Sequence, residues 1–246
     1  MGQEMKPLSW EIVVALFLLS PLAYASDVNK NTPKEILIEA THLIPSQILP
    51  SPPELEGPRG KSELLEIKIK ATHVSPKERE LATKDDLTKN VSFFADTIEG
   101  FDIEKLPKTK ALFNQVRRTE HYVAKKFKNY FMRNRPYIND IAIKPCISPK
   151  MTDRNTSYPS GHAVMGFSMG VVLSQLIPEK SAAIMHRANV YAENRLICGL
   201  HHRSDISAGQ VLGTLVAVQL LQNHEFQKML LLAKQELINA GLTKEQ

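Results

Sequence analysis

The chain has 246 residues, of which 43% are hydrophobic and 23% are charged, and its formal net charge at pH 7 is +5. A chain of this length can bury one good core without stapling, and two cysteines give no support for a structural zinc site. Basic residues are scattered among acidic ones, with no long basic block and no aromatic–basic repeat. This composition argues against nucleic-acid binding as the main role.

Residues 1–25 are predicted to be a signal peptide. A lysine precedes an apolar run over residues 12–19, and the small side chains of Ala23 and Ala25 fit cleavage before Ser26. The run is too short to span a bilayer comfortably, although an uncleaved anchor is the alternative. Cleavage removes one lysine and two glutamates, which raises the formal charge from +5 to +6. We therefore expect a periplasmic or secreted protein with no stable membrane insertion after signal removal.

Residues 26–60 are predicted to form an extended, Pro-rich leader, because their many prolines cannot continue a helix. A helix is predicted from Pro76, where a proline is followed by acidic residues. Apolar residues at helical spacing predict a long helix over about 107–133, which Pro136 would end.

The remaining pattern is also helical, and strand signals are scarce. Two segments, residues 161–177 and 206–221, are apolar nearly all round, as is typical of buried helices at the centre of a bundle. Gly166 and Gly170 are four residues apart, which allows a second helix to pack closely. We predict an all-α, single-domain helical bundle over residues 61–246. Its later helices are expected at about 161–177, 179–197, from Ser204 or Asp205 to Leu221, and 224–240.

Three basic residues are candidate ligands for phosphate. Lys128 and Arg135 are seven apart and lie on one face at the end of the same predicted helix. Arg195 is the third, and each guanidinium can bind oxygens through a fork of donors. An exposed basic face is the alternative; it fits Lys128 better than Arg135, whose backbone is fixed by the proline that follows it.

The segment Ser160-Gly161-His162 opens the first central helix. Ser160 is a natural N-cap, and Gly161 lets the backbone approach a ligand closely. Free N–H groups at a helix start attract anions, and His162 in the first turn can face the same anion. A capped helix without a ligand is the alternative.

His201 and Asp205 are four residues apart, so on a helix they share a face and can form a hydrogen bond. A carboxylate on one imidazole nitrogen leaves the other nitrogen free to attack. His202 is the rival nucleophile, because Asp205 is three residues from it.

These residues together predict phosphoryl transfer through a histidine. We expect His201 to attack phosphorus, His162 to protonate the leaving alcohol and then activate water, and Asp205 to orient His201. The non-bridging oxygens would be held by the cations and by the helix start, namely Lys128, Arg135, Ser160, Gly161 and Arg195.

Cys146 and Cys198 are the only cysteines. In an oxidising compartment an isolated pair can be bridged, and we expect a disulfide that ties two walls of the predicted pocket. Two buried thiols are the alternative.

The three motifs resemble those of the class A bacterial non-specific acid phosphatases, within the type 2 phosphatidic acid phosphatase superfamily. The matching residues run from Lys128 to Pro136, over 159–162, and over 194–205, and the likeness extends from about residue 50 to the end. The resemblance implies an all-α fold, broad hydrolysis of phosphate monoesters, a nucleophile at His201 and no metal or other cofactor. Asn194 stands where the family usually has Ser, and Thr156 and Ala163 also depart from its pattern.

Several alternatives share these residues. A lipid phosphate or diphosphate phosphatase of the same superfamily would usually cross the membrane several times, and a vanadate-dependent haloperoxidase would use the same anion pocket. A metallohydrolase could use His162, His201, His202 and Asp205, although the neighbouring cations would repel a metal. A non-catalytic phosphate-binding protein is the last alternative. The expected partners are small phosphorylated substrates, and assembly into a homo-oligomer is left open.

Overall fold

The structure is a computed structural model that describes residue 1, residues 36–38 and residues 42–245. The described residues from 36 to 245 belong to one compact unit. The predicted signal peptide, apart from Met1, and the leader up to residue 35 lie outside the described residues.

All regular secondary structure in the described part of the chain is helical, as the sequence predicts. Short 3-10 turns join several of the helices. The helices are α1 (Pro45–Ile48), α2 (Pro58–His73), α3 (Pro76–Leu87), α4 (Pro107–Phe131), α5 (Pro136–Asn139), α6 (Gly161–Leu176), α7 (Ser181–Ile197), α8 (Arg203–Gln222) and α9 (His224–Asn239).

Several helices begin where local chemistry favours a start. Proline stands at the first position of α2, α3, α4 and α5, where its missing N–H costs no helical hydrogen bond. Ser75 caps α3 in a reciprocal arrangement: its Oγ accepts from Glu78 N at 3.3 Å, and its N–H donates to Glu78 Oε2 at 2.9 Å. Most of these helices therefore begin where residues close to the start favour it.

The end of α4 differs from the prediction. The helix stops at Phe131 rather than at Arg133, because Met132 adopts a left-handed conformation with φ of 47° while its N–H still bonds to Lys128 O at 3.0 Å. Pro136 does not end α4 but begins α5. The turn directs Arg133 and Arg135 away from the helix axis and toward the start of α8.

The core is centred on α6 and α8, which pack against each other along their length, with α4, α7 and α9 around them. Glycines permit the close approach. A Cβ added at Gly209 would lie 2.6 Å from Ala163 Cβ, and one added at Gly213 would lie 2.4 Å from Val164 O. Gly166 and Gly170, which the sequence singled out, instead face α7. The predicted bundle with central buried helices is confirmed.

The described part of the predicted leader departs from an extended arm. Its side chains at Leu43 and Leu49 are buried in the main core, and Pro50 O accepts a hydrogen bond from Tyr158 Oη at 2.8 Å. The segment contains α1, and α2 already begins at Pro58 rather than after residue 60. Burial of apolar side chains explains the difference, because the side chains of Leu43 and Leu49 gain more by packing than by remaining in water.

Among the described residues, α8 is the one helix long and apolar enough to cross a membrane by length and composition, with a mean hydropathy of 1.2. Just over half of that stretch is buried within the bundle. The central helix of a packed core can also have this length and apolar composition.

Candidate active site

The C-terminal end of α4, the loop after it, the starts of α6 and α8, and the end of α7 meet at one end of the bundle. A cavity of about 360 Å³ lies there, lined by residues of α4, of the start of α6 and of the loops, including His201 between α7 and α8. Five of the eight residues predicted to act on phosphate line this cavity, and the other three, Ser160, Arg195 and Asp205, lie behind them. The five are Lys128, Arg135, Gly161, His162 and His201.

His201 is buried, and its two ring nitrogens have different partners. Arg135 Nη1 lies 2.8 Å from Nε2, and Asp205 Oδ2 lies 3.4 Å from Nδ1. A guanidinium can only donate, so Nε2 must carry the lone pair and Nδ1 the proton, which points to the carboxylate. Burial, followed by the charge of Arg135, lowers the pKa of His201 well below its usual value. The imidazole is therefore held neutral, in the tautomer that a nucleophile requires.

Asp205 is more than an acceptor for one histidine. Its Oδ2 also accepts from Ser157 Oγ at 2.5 Å and from the His202 amide at 2.8 Å, while its Oδ1 accepts from Arg133 Nη1 at 2.7 Å. Burial opposes ionisation, but the hydrogen bonds from His201 and His202 hold the pKa of Asp205 well below its ordinary value. The carboxylate stays charged, and its position is fixed from several sides.

His202, the rival nucleophile, is placed differently. Its Nδ1 lies 3.2 Å from Asp205 Oδ2, but its ring does not line the cavity. Its Nε2 is buried and finds no hydrogen-bond partner among the described residues. The two histidines therefore share one carboxylate, and only His201 presents a nitrogen to the cavity.

Lys128 and Arg135 lie on the cavity wall with their charges crowded together. Lys128 Nζ donates to Thr156 O, and Arg135 donates through Nη1 to Leu200 O at 2.8 Å and through Nε to Asp153 O at 3.2 Å. Burial, and then the charge of Arg135, lowers the pKa of Lys128 well below its usual value. A bound anion would relieve this repulsion.

The start of α6 is built as the sequence predicts. Ser160 Oγ accepts from Ala163 N at 3.4 Å, and Ser160 N donates to Asp205 O at 2.9 Å, which joins the starts of α6 and α8. A Cβ at Gly161 would meet Lys128 Cε at 3.6 Å, so the lysine side chain lies directly over the backbone. The first N–H groups of a helix lack helical acceptors, and those of Gly161 and His162 are available to an anion here.

His162 contacts Asp86, a residue of α3 that sequence reasoning missed. Its Nε2 lies 3.2 Å from Asp86 O and 3.6 Å from Asp86 Oδ1. Burial, and then the charge of Arg195, lowers the pKa of His162 well below its usual value.

Arg195 does not line the cavity. Its Nη1 lies 2.5 Å from Asp86 Oδ1, and the two side chains are 3% and 2% exposed. The contact is an ion pair without hydrogen-bond alignment, because Arg195 Nε and Nη1 and Asp86 Oδ2 have no hydrogen-bond partner among the described residues. The arginine thus has unused donors directly behind His162.

Glu120 and Arg117 on α4 also line the cavity and were not singled out from the sequence. Arg117 Nη1 donates to Glu120 Oε1. Burial outweighs this attraction and raises the pKa of Glu120 to about 7. The only sequence signal was their helical spacing with Lys128, which an ordinary solvated face would share.

Cys146 and Cys198 are paired in a disulfide. Cys146 N also donates to Cys198 O at 3.2 Å. The bond fastens the loop after α5 to the end of α7, a few residues before His201. In the described chain no three His, Cys, Asp or Glu side chains are grouped as a metal site.

The three residues that depart from the family pattern each contact neighbouring residues in the structure. Asn194 Nδ2 donates to Asp85 Oδ2 at 2.7 Å, so it ties α7 to α3 rather than facing the cavity. Thr156 Oγ1 accepts weakly from Arg135 Nη2 at 3.4 Å. Ala163 packs against Gly209.

A comparison with known proteins agrees with this arrangement. The PAP2 superfamily pattern matches residues 118–228, which span every predicted site residue. The "Acid phosphatase" of Zymomonas mobilis is 32% identical over 144 residues, covering 57% of this chain and 54% of that protein.

Two other relatives align over most of their length. The "Non-specific acid phosphatase" of Salmonella typhimurium is 30% identical over 196 residues, which cover 77% of this chain and 78% of that protein. The protein of the same name from Salmonella typhi is 30% identical over 212 residues, covering 80% and 82% respectively. The chain therefore belongs to the class A-type non-specific acid phosphatases of the PAP2 superfamily.

Proposed function

We propose that the protein is an exported acid phosphatase that hydrolyses phosphate monoesters of many alcohols through a phosphohistidine, without a metal ion. The observation that carries this proposal is the neutral His201 ring, whose Nε2 lone pair faces a cavity lined by Lys128 and Arg135 while Asp205 holds Nδ1. The names of the relatives support the phosphatase assignment.

In the first step, the Nε2 lone pair of His201 forms a bond to phosphorus. The bond between phosphorus and the ester oxygen breaks, and its electron pair goes to the leaving alcohol. Protonated His162 gives its proton to that oxygen. Arg135 Nη1, which lies against Nε2 in the free protein, then has charged phosphate oxygens to bind instead.

In the second step, neutral His162 takes a proton from water while the water oxygen attacks phosphorus. The nitrogen–phosphorus bond breaks, its electron pair returns to His201 Nε2, and inorganic phosphate leaves. Lys128, Arg135 and the amides at the start of α6 hold the non-bridging oxygens throughout. We assign Arg195 to the same anion through its unused donors, which lie behind His162.

An acidic working range follows from the state of His162. In the free protein its pKa is lowered by burial and by Arg195, so the ring is neutral near neutral pH. A phosphate bound in the cavity brings negative charge and favours the protonated ring. Mild acidity completes the protonation that the first step requires.

Broad specificity follows from where the contacts lie, because the predicted ligands all hold the phosphoryl group and none is assigned to the alcohol. Export rests on the predicted signal peptide, and the disulfide is typical of an oxidising compartment.

Rapid quench of the purified protein with a phosphorus-labelled p-nitrophenyl phosphate tests the proposal. We expect an acid-labile, base-stable phosphoryl adduct that is absent from His201→Ala and unchanged by a chelator. The matched control is His121→Ala, a histidine on the same cavity wall that has no assigned role. His162→Ala should still form the adduct, because p-nitrophenolate leaves without protonation, but should hydrolyse it slowly. Full turnover by His201→Ala, or peroxidase turnover with vanadate in place of phosphatase turnover, would contradict the proposal.

A further inference from the structure

One face of α4 forms a wall of the cavity well beyond the residues that the proposed mechanism uses. The cavity-lining side chains on this helix recur every three or four residues, at 117, 120 and 121, 124 and 125, and 128, which places them in one stripe. With a rise of about 1.5 Å per residue, the stripe extends about 16 Å from Lys128 toward the start of the helix. Its members are Arg117, Glu120, His121, Ala124, Lys125 and Lys128.

The far part of this wall is positively charged. Arg117 and Lys125 project from α4, and Lys89 lies on the cavity lining from the segment after α3. We call these three residues the outer cations. Burial, and then the charges of Arg117, Lys125 and Lys128, lowers the pKa of His121, which lies among them. Burial and the charge of Arg195 lower the pKa of His162 most, and the charge of Lys89 adds to the effect.

Glu120 is the carboxylate nearest these cations on the same helix face, and it is a weak counter-charge in acid. Because its pKa is raised to about 7, mild acidity protonates it and removes the negative charge that faces Arg117. The other lining carboxylate, Asp153, belongs to the opposite end of the cavity, where its backbone oxygen accepts from Arg135. The net positive charge at the outer end therefore grows in the pH range where the enzyme is proposed to work.

We infer that the outer cations bind a second phosphate of the substrate, so that the favoured substrates are small molecules with two phosphate groups at opposite ends. The inference rests on the proposed function, which places the reacting phosphate at His201 and Arg135. The leaving group then runs along α4 past Ala124 and Met165, which offer only apolar contact. A neutral leaving group gains nothing from the outer cations, whereas a second phosphate gains charge-assisted hydrogen bonds.

The test compares alkanediol bisphosphates with alkyl monophosphates of the same carbon number, using propane, hexane and octane chains at mildly acidic pH and low salt. The measured quantity is the ratio of kcat/KM for the bisphosphate to that for the monophosphate, after the statistical factor of two. We expect a ratio of about fivefold at one preferred chain length, because partly exposed ion pairs contribute on this scale. Added salt should reduce the ratio.

Lys125→Ala should lower this ratio about threefold, since one exposed cation is removed. The control is Lys108→Ala, which removes the same charge from the same helix at an exposed position outside the cavity. It should leave both kcat/KM values and their ratio unchanged. A ratio near one at every chain length, or an equal effect of the two variants, overturns the inference while hydrolysis of p-nitrophenyl phosphate still supports the proposed function. Failure to hydrolyse any ester overturns both.

Discussion

Arg195 on α7 and Asp86 on α3 form a buried ion pair with Nη1 and Oδ1 2.5 Å apart. The pair lies directly behind His162, whose Nε2 also approaches Asp86. The carboxylate of Asp86 balances the charge of Arg195, but Arg195 Nε and Nη1 make no hydrogen bond among the described residues. Asp86 thus stabilises, in a buried position and without a bound anion, the cation that we assign to phosphate binding.

Asp86→Asn should therefore destabilise the free protein and increase its stabilisation by phosphate. Loss of one partner from a buried pair costs about 3–5 kcal/mol, because the remaining charge is uncompensated. A bound anion restores the compensation. Thermal unfolding with and without inorganic phosphate measures both effects.

Asp85→Asn is the matched control, because Asp85 is buried beside Asp86 but pairs with Arg187 at 2.6 Å. We expect it to lower stability without increasing the shift in Tm caused by phosphate. Equal phosphate shifts in the two variants would contradict the role given to Asp86.

Glu63 on α2 is linked through Arg133 to Asp205, the carboxylate that we assign to orient His201. Arg133 Nη2 donates to Glu63 Oε2 at 3.0 Å, while its Nη1 donates to Asp205. Glu63 also accepts from Ser204 N at 3.0 Å, at the start of α8. Glu63→Gln should lower kcat by about tenfold with little change in KM, since it loosens the group that orients His201 but binds no phosphate.

Steady-state kinetics with p-nitrophenyl phosphate give this split between kcat and KM. Glu66→Gln serves as the control: Glu66 lies on the same helix and pairs with Arg203, away from the site. A rise in KM with unchanged kcat would show that Glu63 acts on binding instead.

Glu120→Gln should change how stability depends on pH. The pKa of Glu120 rises from 4.5 to about 7 on folding, so between these values the folded protein binds more protons than the unfolded chain. Stability contributed by the protonated group is complete below pH 4.5 and is lost as pH rises through about 7. The variant escapes this loss, and its stability relative to the wild type should rise by about 3 kcal/mol across the window.

Denaturant unfolding at a series of pH values measures that difference. The control is Glu104→Gln, which removes one acidic group at an exposed position. Parallel pH profiles for the wild type and Glu120→Gln would mean that the carboxyl is ionised in the folded protein.

Cys146→Ser should lower stability by about 2–4 kcal/mol, because the disulfide closes a loop between residues 52 apart in sequence. Calorimetry should show a lower Tm for the variant. Dithiothreitol should lower the Tm of the wild type in the same way and leave that of the variant unchanged. A variant as stable as the wild type would indicate that hydrogen bonds such as that from Cys146 N to Cys198 O fix the loop on their own.

The sequence predicted those parts of the structure that are encoded over short distances. Proline starts and helical spacing act within one or two turns, and the helices follow them. The four-residue offset also brings His201 to Asp205, although His201 lies just before α8 and not on a shared helical face. The left-handed Met132 that ends α4 has no such signal, since only glycine or asparagine would have marked it.

Residues that join the site from other helices could not be predicted in this way. Asp86 reaches Arg195, and Glu63 reaches Arg133, only after helices distant in sequence pack together. In the sequence each is one acidic residue among many on a polar helix. The placement of Arg195 behind His162, rather than on the cavity surface, likewise depends on how deeply α7 is buried.

Gly209 and Gly213 have a consequence for catalysis although neither touches the cavity. They let α8 lie against the backbone of α6 near Ala163 and Val164, close to His162 in the first turn of α6 and to His201 just before α8. The absence of a side chain at these two positions thus helps to set how close His201 lies to His162, the two residues to which we assign attack and proton donation. A single methyl group added at position 209 would push α8 away from the start of α6. The two histidines would then be displaced from each other although every reactive side chain is still present.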